Sequence, residues 1–184
     1  MKQRIVLVAM ALSCCTAVPE EQSQRAYVGK EAVKAAVARA MTFEHARDRV
    51  EAIEAVRLKA GMDENQIADV LLGVATNDNN RFAMRDFARY ATTNQLAAVK
   101  GVIEDVGRPA AFRVAAFRAM SDIDGFGEMT LRIVDDIGEG KLAFAQHDRE
   151  KMLTHIRLSL PTNDVRLAAF SMKLAPAKRQ EAGK

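Results

Sequence analysis

The chain has 184 residues, enough for one ordinary domain that buries roughly 70% of the surface its unfolded form exposes. Its 27 basic and 24 acidic residues leave a net charge of +3, but the excess is peripheral. Lys2 and Arg4 lie near the start, and Lys178, Arg179 and Lys184 outnumber Glu181 in the last ten residues, so 22 basic face 23 acidic residues between 15 and 174. A near-neutral body lacks the electrostatic footprint of a nucleic-acid binder, and none is expected as a partner.

The first residues, MKQRIVLVAMALSCC, put Lys2 and Arg4 before an apolar run from Ile5 to Leu12, with small residues and two cysteines after it. This is the layout of an export signal over 1–17, and the run is too short for a bilayer span of about 20 residues. Ala11-Leu12-Ser13-Cys14 resembles the lipobox of bacterial lipoproteins, which implies lipidation of Cys14. Cleavage after Ala17, at the small-x-small site Cys15-Thr16-Ala17, stays open beside it, as does an uncleaved apolar helix. The two cleavage readings place the body outside the cytoplasm, in the periplasm or cell envelope, touching the membrane only through a lipid anchor. Cys14 and Cys15 are the chain's only cysteines, so the body has no thiol chemistry.

After a linker at 18–29, periodicity and punctuation predict nine helices within a domain at 30–174. They fall near 30–41, 44–59, 63–75, 79–91, 94–106, 109–121, 128–138, 148–159 and 163–174. Val33, Ala36, Val37, Ala40 and Met41 recur at helical spacing, as do Ile67, Val70, Leu71 and Val74, and Leu96, Val99, Val102, Ile103 and Val106. Asp63 with Gln66, and Thr92 with Gln95, read as capping boxes. Gly61, Pro109 and Pro161 punctuate the helices. Period-two runs are missing and aromatics make up only 5% of residues, so the fold class is all-α. The last residues, 175–184, are small and charged and read as a disordered tail.

Two phrases recur in step. Asn65-Gln66-Ile67-Ala68 returns 29 residues later as Asn94-Gln95-Leu96-Ala97. Arg followed by an apolar residue opens RVEAIEAV at Arg49, RFAMRDFA at Arg81, RVAAFRAM at Arg113 and RLAAFSMKL at Arg166. The interval is 32 twice and then 53, which predicts an abbreviated helix pair between Arg113 and Arg166, with a slip in the alternation of first and second helices as the other reading. The strings TND at 76–78 and 162–164 precede two of these phrases and read as helix boundaries. Asp164-Val165-Arg166-Leu167-Ala168-Ala169-Phe170, Arg113-Val114-Ala115-Ala116-Phe117 and Asp48-Arg49-Val50 resemble the second helix of HEAT-like repeats over roughly 44–174. The resemblance implies antiparallel pairs stacked as a short α-solenoid, with structural Asp–Arg pairs at Asp164–Arg166 and Asp78–Arg81. It also implies that second helices line a concave face.

No constellation carries catalytic chemistry. DIDGFGE at 122–128 offers oxygens for a calcium ion, but in EF-hand register Phe126 takes a ligand position and Ile133 stands where a bidentate Glu is needed. Gly138-Glu139-Gly140-Lys141 lacks the spacing and the hydroxyl of a phosphate loop. His147, Lys151 and His155 share a helix face with a cation in the middle, His45 is alone, and Ser121, Ser159 and Ser171 lie in no nucleophile motif. Neither a metal nor a cofactor is expected.

The remaining polar set is Arg81, Arg85 and Arg89 at i, i+4, i+8, where like charges cost a few tenths of a kcal/mol per pair unless acids or a partner compensate. Asp78 and Asp86 are the acids at hand. By the HEAT-like resemblance, Arg85 and Arg89, with Arg118 one unit on, surround an apolar groove that takes an acidic protein or peptide. The expected function is a non-catalytic interaction or scaffolding module. A repeat-scaffold enzyme or accessory subunit, similar to alkylation-repair glycosylases or bilin lyases, and a purely structural envelope protein are the alternatives.

Overall fold

The computed structural model describes residues 29–175, which form nine α-helices, one 3₁₀ turn and no strand. The helices are α1 (Lys30–Ala40), α2 (Ala46–Ala60), α3 (Glu64–Asp78), α4 (Arg81–Phe87), α5 (Leu96–Glu104), α6 (Ala110–Asp124), α7 (Glu128–Gly138), α8 (Gln146–Ser159) and α9 (Arg166–Leu174). The fold is all-α. The leader with Cys14, most of the linker and the tail after Ala175 lie outside the described residues. No described helix is long and apolar enough to cross a membrane.

Local chemistry explains the boundaries. Asp63 caps α3 in a reciprocal box, accepting from the Gln66 amide at 2.8 Å while Gln66 Oε1 accepts from the Asp63 amide at 3.0 Å. Gln95 likewise reaches back to the Thr92 amide at 2.9 Å, but the box closes a 3₁₀ turn, Thr93–Gln95, ahead of α5. The first TND is not a boundary: Thr76 Oγ1 donates to the Leu72 carbonyl at 2.8 Å, and α3 runs on through Asp78. Asn79 then takes the left-handed conformation that Asn tolerates. Asn80 caps α4 through the Phe82 and Ala83 amides. The second TND is a true turn before α9. α5 stops at Glu104 because the extended Asp105 accepts from the Gly107 amide at 3.0 Å, which leaves Val106 outside the helix and exposed.

Each helix buries one stripe in a single cluster running from Val33 to Leu174. Sequential neighbours pack as α1 on α2, α3 on α4, α5 on α6, α6 on α7 and α8 on α9, and alternate helices also meet: α1 with α3, α4 with α6, α6 with α8 and α7 with α9. The pairing of neighbours shifts in the irregular stretch, where α7 packs back on α6 and α8 packs forward on α9. The phrase at Arg166 sits on α9, the later member of the α8–α9 pair, as Arg49, Arg81 and Arg113 sit on the later members of theirs. The interval of 53 accommodates α7, the single helix that stands between the α5–α6 and α8–α9 pairs where the sequence predicts an abbreviated pair.

Arginines tie the connections down. Arg49 is buried in an ion pair with Asp86 at 3.0 Å, with exposures of 2% and 0%, and also donates to the Phe43 and Glu44 carbonyls. Arg113 donates to the Ile103 carbonyl at 2.7 Å and the Ala143 carbonyl at 3.2 Å, with its guanidinium 4.1 Å from the Phe144 ring centroid. Burial pushes the Arg113 guanidinium below its ordinary value, opposed by the charges of Asp105 and Asp148. Arg166 pairs with Asp164 at 2.7 Å and donates to the Gly125 and Phe126 carbonyls. Those carbonyls belong to a turn in which Gly125 and the buried Phe126 both take positive φ. The pair expected at Asp78–Arg81 does not form; both side chains are exposed.

Candidate functional site

A groove of about 300 Å³ lies along α4 and α6 and reaches α8. Its floor and walls are apolar: Phe82 and Ala88 from α4, and Ala111, Val114, Ala115 and Ala119 from α6. Cations line it from three helices: Arg81 and Arg85 on α4, Arg118 on α6 and Lys151 on α8. Asp122 is the one acid in the lining. The i, i+4, i+8 spacing of Ala111, Ala115 and Ala119 keeps small side chains on one face of α6, so the floor is shallow and smooth along about 12 Å of helix.

Of the arginines singled out from the sequence, Arg85 and Arg118 line this groove together. Arg89 does not; it lies one turn beyond Arg85 on the other side of Asp86. The Asp86 carboxylate sits between them. Its Oδ2 accepts from Arg49, while its Oδ1 lies 3.8 Å from Arg85 Nε and 3.9 Å from Arg89 Nε without a hydrogen bond. Arg85 and Arg89 remain 56% and 53% exposed. One buried acid shared by three guanidinium groups relieves the like-charge crowding of α4 and leaves cationic surplus at the surface. Among the described residues neither Arg81 nor Arg118 has a carboxylate within ion-pair distance; Arg118 Nη2 donates to the Lys151 carbonyl at 3.2 Å.

Phe82 is 50% exposed, and one face of its ring is taken by the Arg49 guanidinium, 4.8 Å from the centroid. That guanidinium is itself fixed by Asp86 and two carbonyls. The ring is thus a supported platform at the groove wall. At the far end, Asp122 Oδ1 lies 3.1 Å from His155 Nε2, and the His155 ring stacks beside Phe126, with centroids 5.8 Å apart. Lys151 Nζ pairs with the buried Asp148 at 3.2 Å.

These positions limit the chemistry. Neither buried carboxylate, Asp86 or Asp148, lines the groove, and the lining includes no hydroxyl, thiol or imidazole. Ser121 is buried with its hydroxyl donated to the Phe117 carbonyl. The DIDGFGE oxygens are used internally, since Asp124 Oδ2 accepts from the Thr130 amide and hydroxyl and so caps α7. Among the described residues no group of three His, Cys, Asp or Glu side chains could hold a metal ion. Sequence reasoning missed Phe82 and Lys151. Phe82 reads as an ordinary apolar helix position, and nothing local to α8 says that it turns Lys151 toward α4 and α6. No family model, curated protein or solved structure matches the chain.

Proposed function

We propose that this protein is an exported, non-catalytic interaction module that docks a protein or peptide in the groove between α4, α6 and α8. The observation that carries this reading is the groove itself: an alanine-floored trough with a supported aromatic wall and four cations against one acid. Such a surface favours binding over turnover, because its lining holds a single acid, Asp122, and no nucleophile stands beside it. Contact of α4 with α6 and of α6 with α8 supports a HEAT-like stack in which α4 and α6 are second helices and α8 lies beside α6. The leader, with Cys14 as a lipid acceptor, supports export and a tether.

A photo-crosslinking side chain placed at Phe82 or Ala115 of the full chain in its host tests the reading. The expected result is one protein adduct common to both positions and missing from Leu58 and Val106, which are exposed elsewhere. Loss of that adduct in Arg85→Glu/Arg118→Glu would complete the support. Adducts that are the same at all four positions, or none at the groove, would overturn it.

A further inference from the structure

Resting on that reading, we infer that the occupant of the groove is an amphipathic helix with acidic residues on both flanks of its apolar stripe. The shape of the trough selects a helix. Ala111, Ala115 and Ala119 give α6 a face without projecting side chains, and Ala88 continues it on α4. A helix laid there brings its own apolar ridge into van der Waals reach of the floor over about two turns. An extended strand would need unpaired backbone groups to bond with, and the floor is helical backbone that already satisfies itself.

Charge sets the flanks. Arg81 and Arg85 stand one helical turn apart on the α4 side, and Arg118 and Lys151 stand on the α6 and α8 side. Carboxylates at i and i+4 on one edge of the incoming helix match the first pair, and carboxylates on its other edge match the second. Asp122 at the groove end sets a polarity, because it repels an acid and accepts a basic or neutral terminus. Phe82 supplies the anchor. Its free face is held in place by the Arg49–Asp86 pair behind it, so an apolar side chain packs on it without an ordering cost to the platform.

The test uses the full chain and an N-acetylated, C-amidated peptide of about 15 residues, long enough to populate helix, with a leucine stripe flanked by glutamates. Three companions carry Gln for every Glu, Ser for every Leu, or a central Pro. Binding followed by fluorescence anisotropy is expected for the glutamate peptide, with about tenfold weaker affinity for each companion, a step of about 1.4 kcal/mol. Arg85→Glu/Arg118→Glu should abolish binding. Arg39→Glu/Lys59→Glu, an equal change of net charge at exposed positions on α1 and α2, should leave it within twofold. Phe82→Ala should weaken it about tenfold with the thermal transition kept, since its ring is half exposed.

Equal binding of the Pro peptide would overturn the helical occupant, and equal binding of the Gln peptide would overturn the acidic one. Equal loss in both double variants would reduce the effect to net charge and overturn the site. If no peptide binds, the acidic helix is wrong. A groove-specific crosslink at Phe82 would then show that the docking reading survives without it.

Discussion

α4 and α6 carry nearly the same words, RFAMRDFA and RVAAFRAM, and use them differently. Aligned on the leading arginine, Arg81 matches Arg113, yet Arg81 is exposed in the groove and Arg113 is buried under Phe144. Burial aligns the helices one residue further on. Ala83-Met84 then matches Ala116-Phe117, both pairs buried, and Arg85 matches Arg118, both exposed and both lining the groove. A shift of one residue turns a helix face by about 100°. That rotation moves the leading arginine from a structural tie into a binding surface. It also brings Asp86 into the interior, where Arg49 from α2 meets it. The repeated phrase thus specifies a helix, while its register against the neighbours decides which arginines are internal and which face a ligand.

The largest expected effect comes from breaking the buried pair that distinguishes α4. Asp86→Ala leaves Arg49 charged, buried and without its carboxylate, which should cost about 3–5 kcal/mol in urea unfolding. A cost below about 1 kcal/mol would mean that Arg49 escapes to water and that the register assigned to α4 is wrong. Next, the two leading arginines can be compared directly. Arg113→Ala removes hydrogen bonds to Ile103 and Ala143 and the stack on Phe144, and should cost about 2–4 kcal/mol. Arg81→Ala should change stability by no more than about 0.5 kcal/mol. Equal costs would erase the contrast between the helices.

The smallest effect tests the third use of the phrase, on α9. Hydrogen bonds from the Arg166 side chain and amide hold the Asp164 carboxyl down at about 2, against an ordinary 3.8. Because the folded value is the lower one, this contribution to stability is fully present above about pH 4 and is lost as pH falls through about 2. A carboxyl carbon titration by NMR should place the Asp164 midpoint near 2 in the wild type and near the ordinary value in Arg166→Ala. An unshifted midpoint in both would remove the pair from the account of the turn.

Much of this architecture was legible in the residues. All nine helices follow from apolar spacing and punctuation, because a half-buried helix must place its apolar side chains on one stripe. Their ends were less legible where one side chain could serve two structures. Thr76 could stop α3 or bond back into it, and it bonds back to Leu72. Asp105 could continue α5 or close an Asx turn, and it closes the turn. Arg85 and Arg118 could be named from a repeat, but their company could not. Lys151 and Phe82 join them only through packing of α4 on α6 and α6 on α8, and Arg89 leaves the set because Asp86 lies between it and the groove side. The late interval of 53 marks a change in pairing that the phrases did show, since it falls where α7 stands between the α5–α6 and α8–α9 pairs.

A charge swap across the groove tests the central claim most directly. Arg85→Glu/Arg118→Glu is combined with a version of the amphipathic peptide in which every glutamate is lysine, and affinities are measured for both peptides against both proteins. The account predicts that the reversed groove binds the lysine peptide and rejects the glutamate one, the mirror of the wild type. If the reversed groove kept the glutamate peptide, or if neither protein distinguished the two, the groove between α4, α6 and α8 would not be the acid-binding surface.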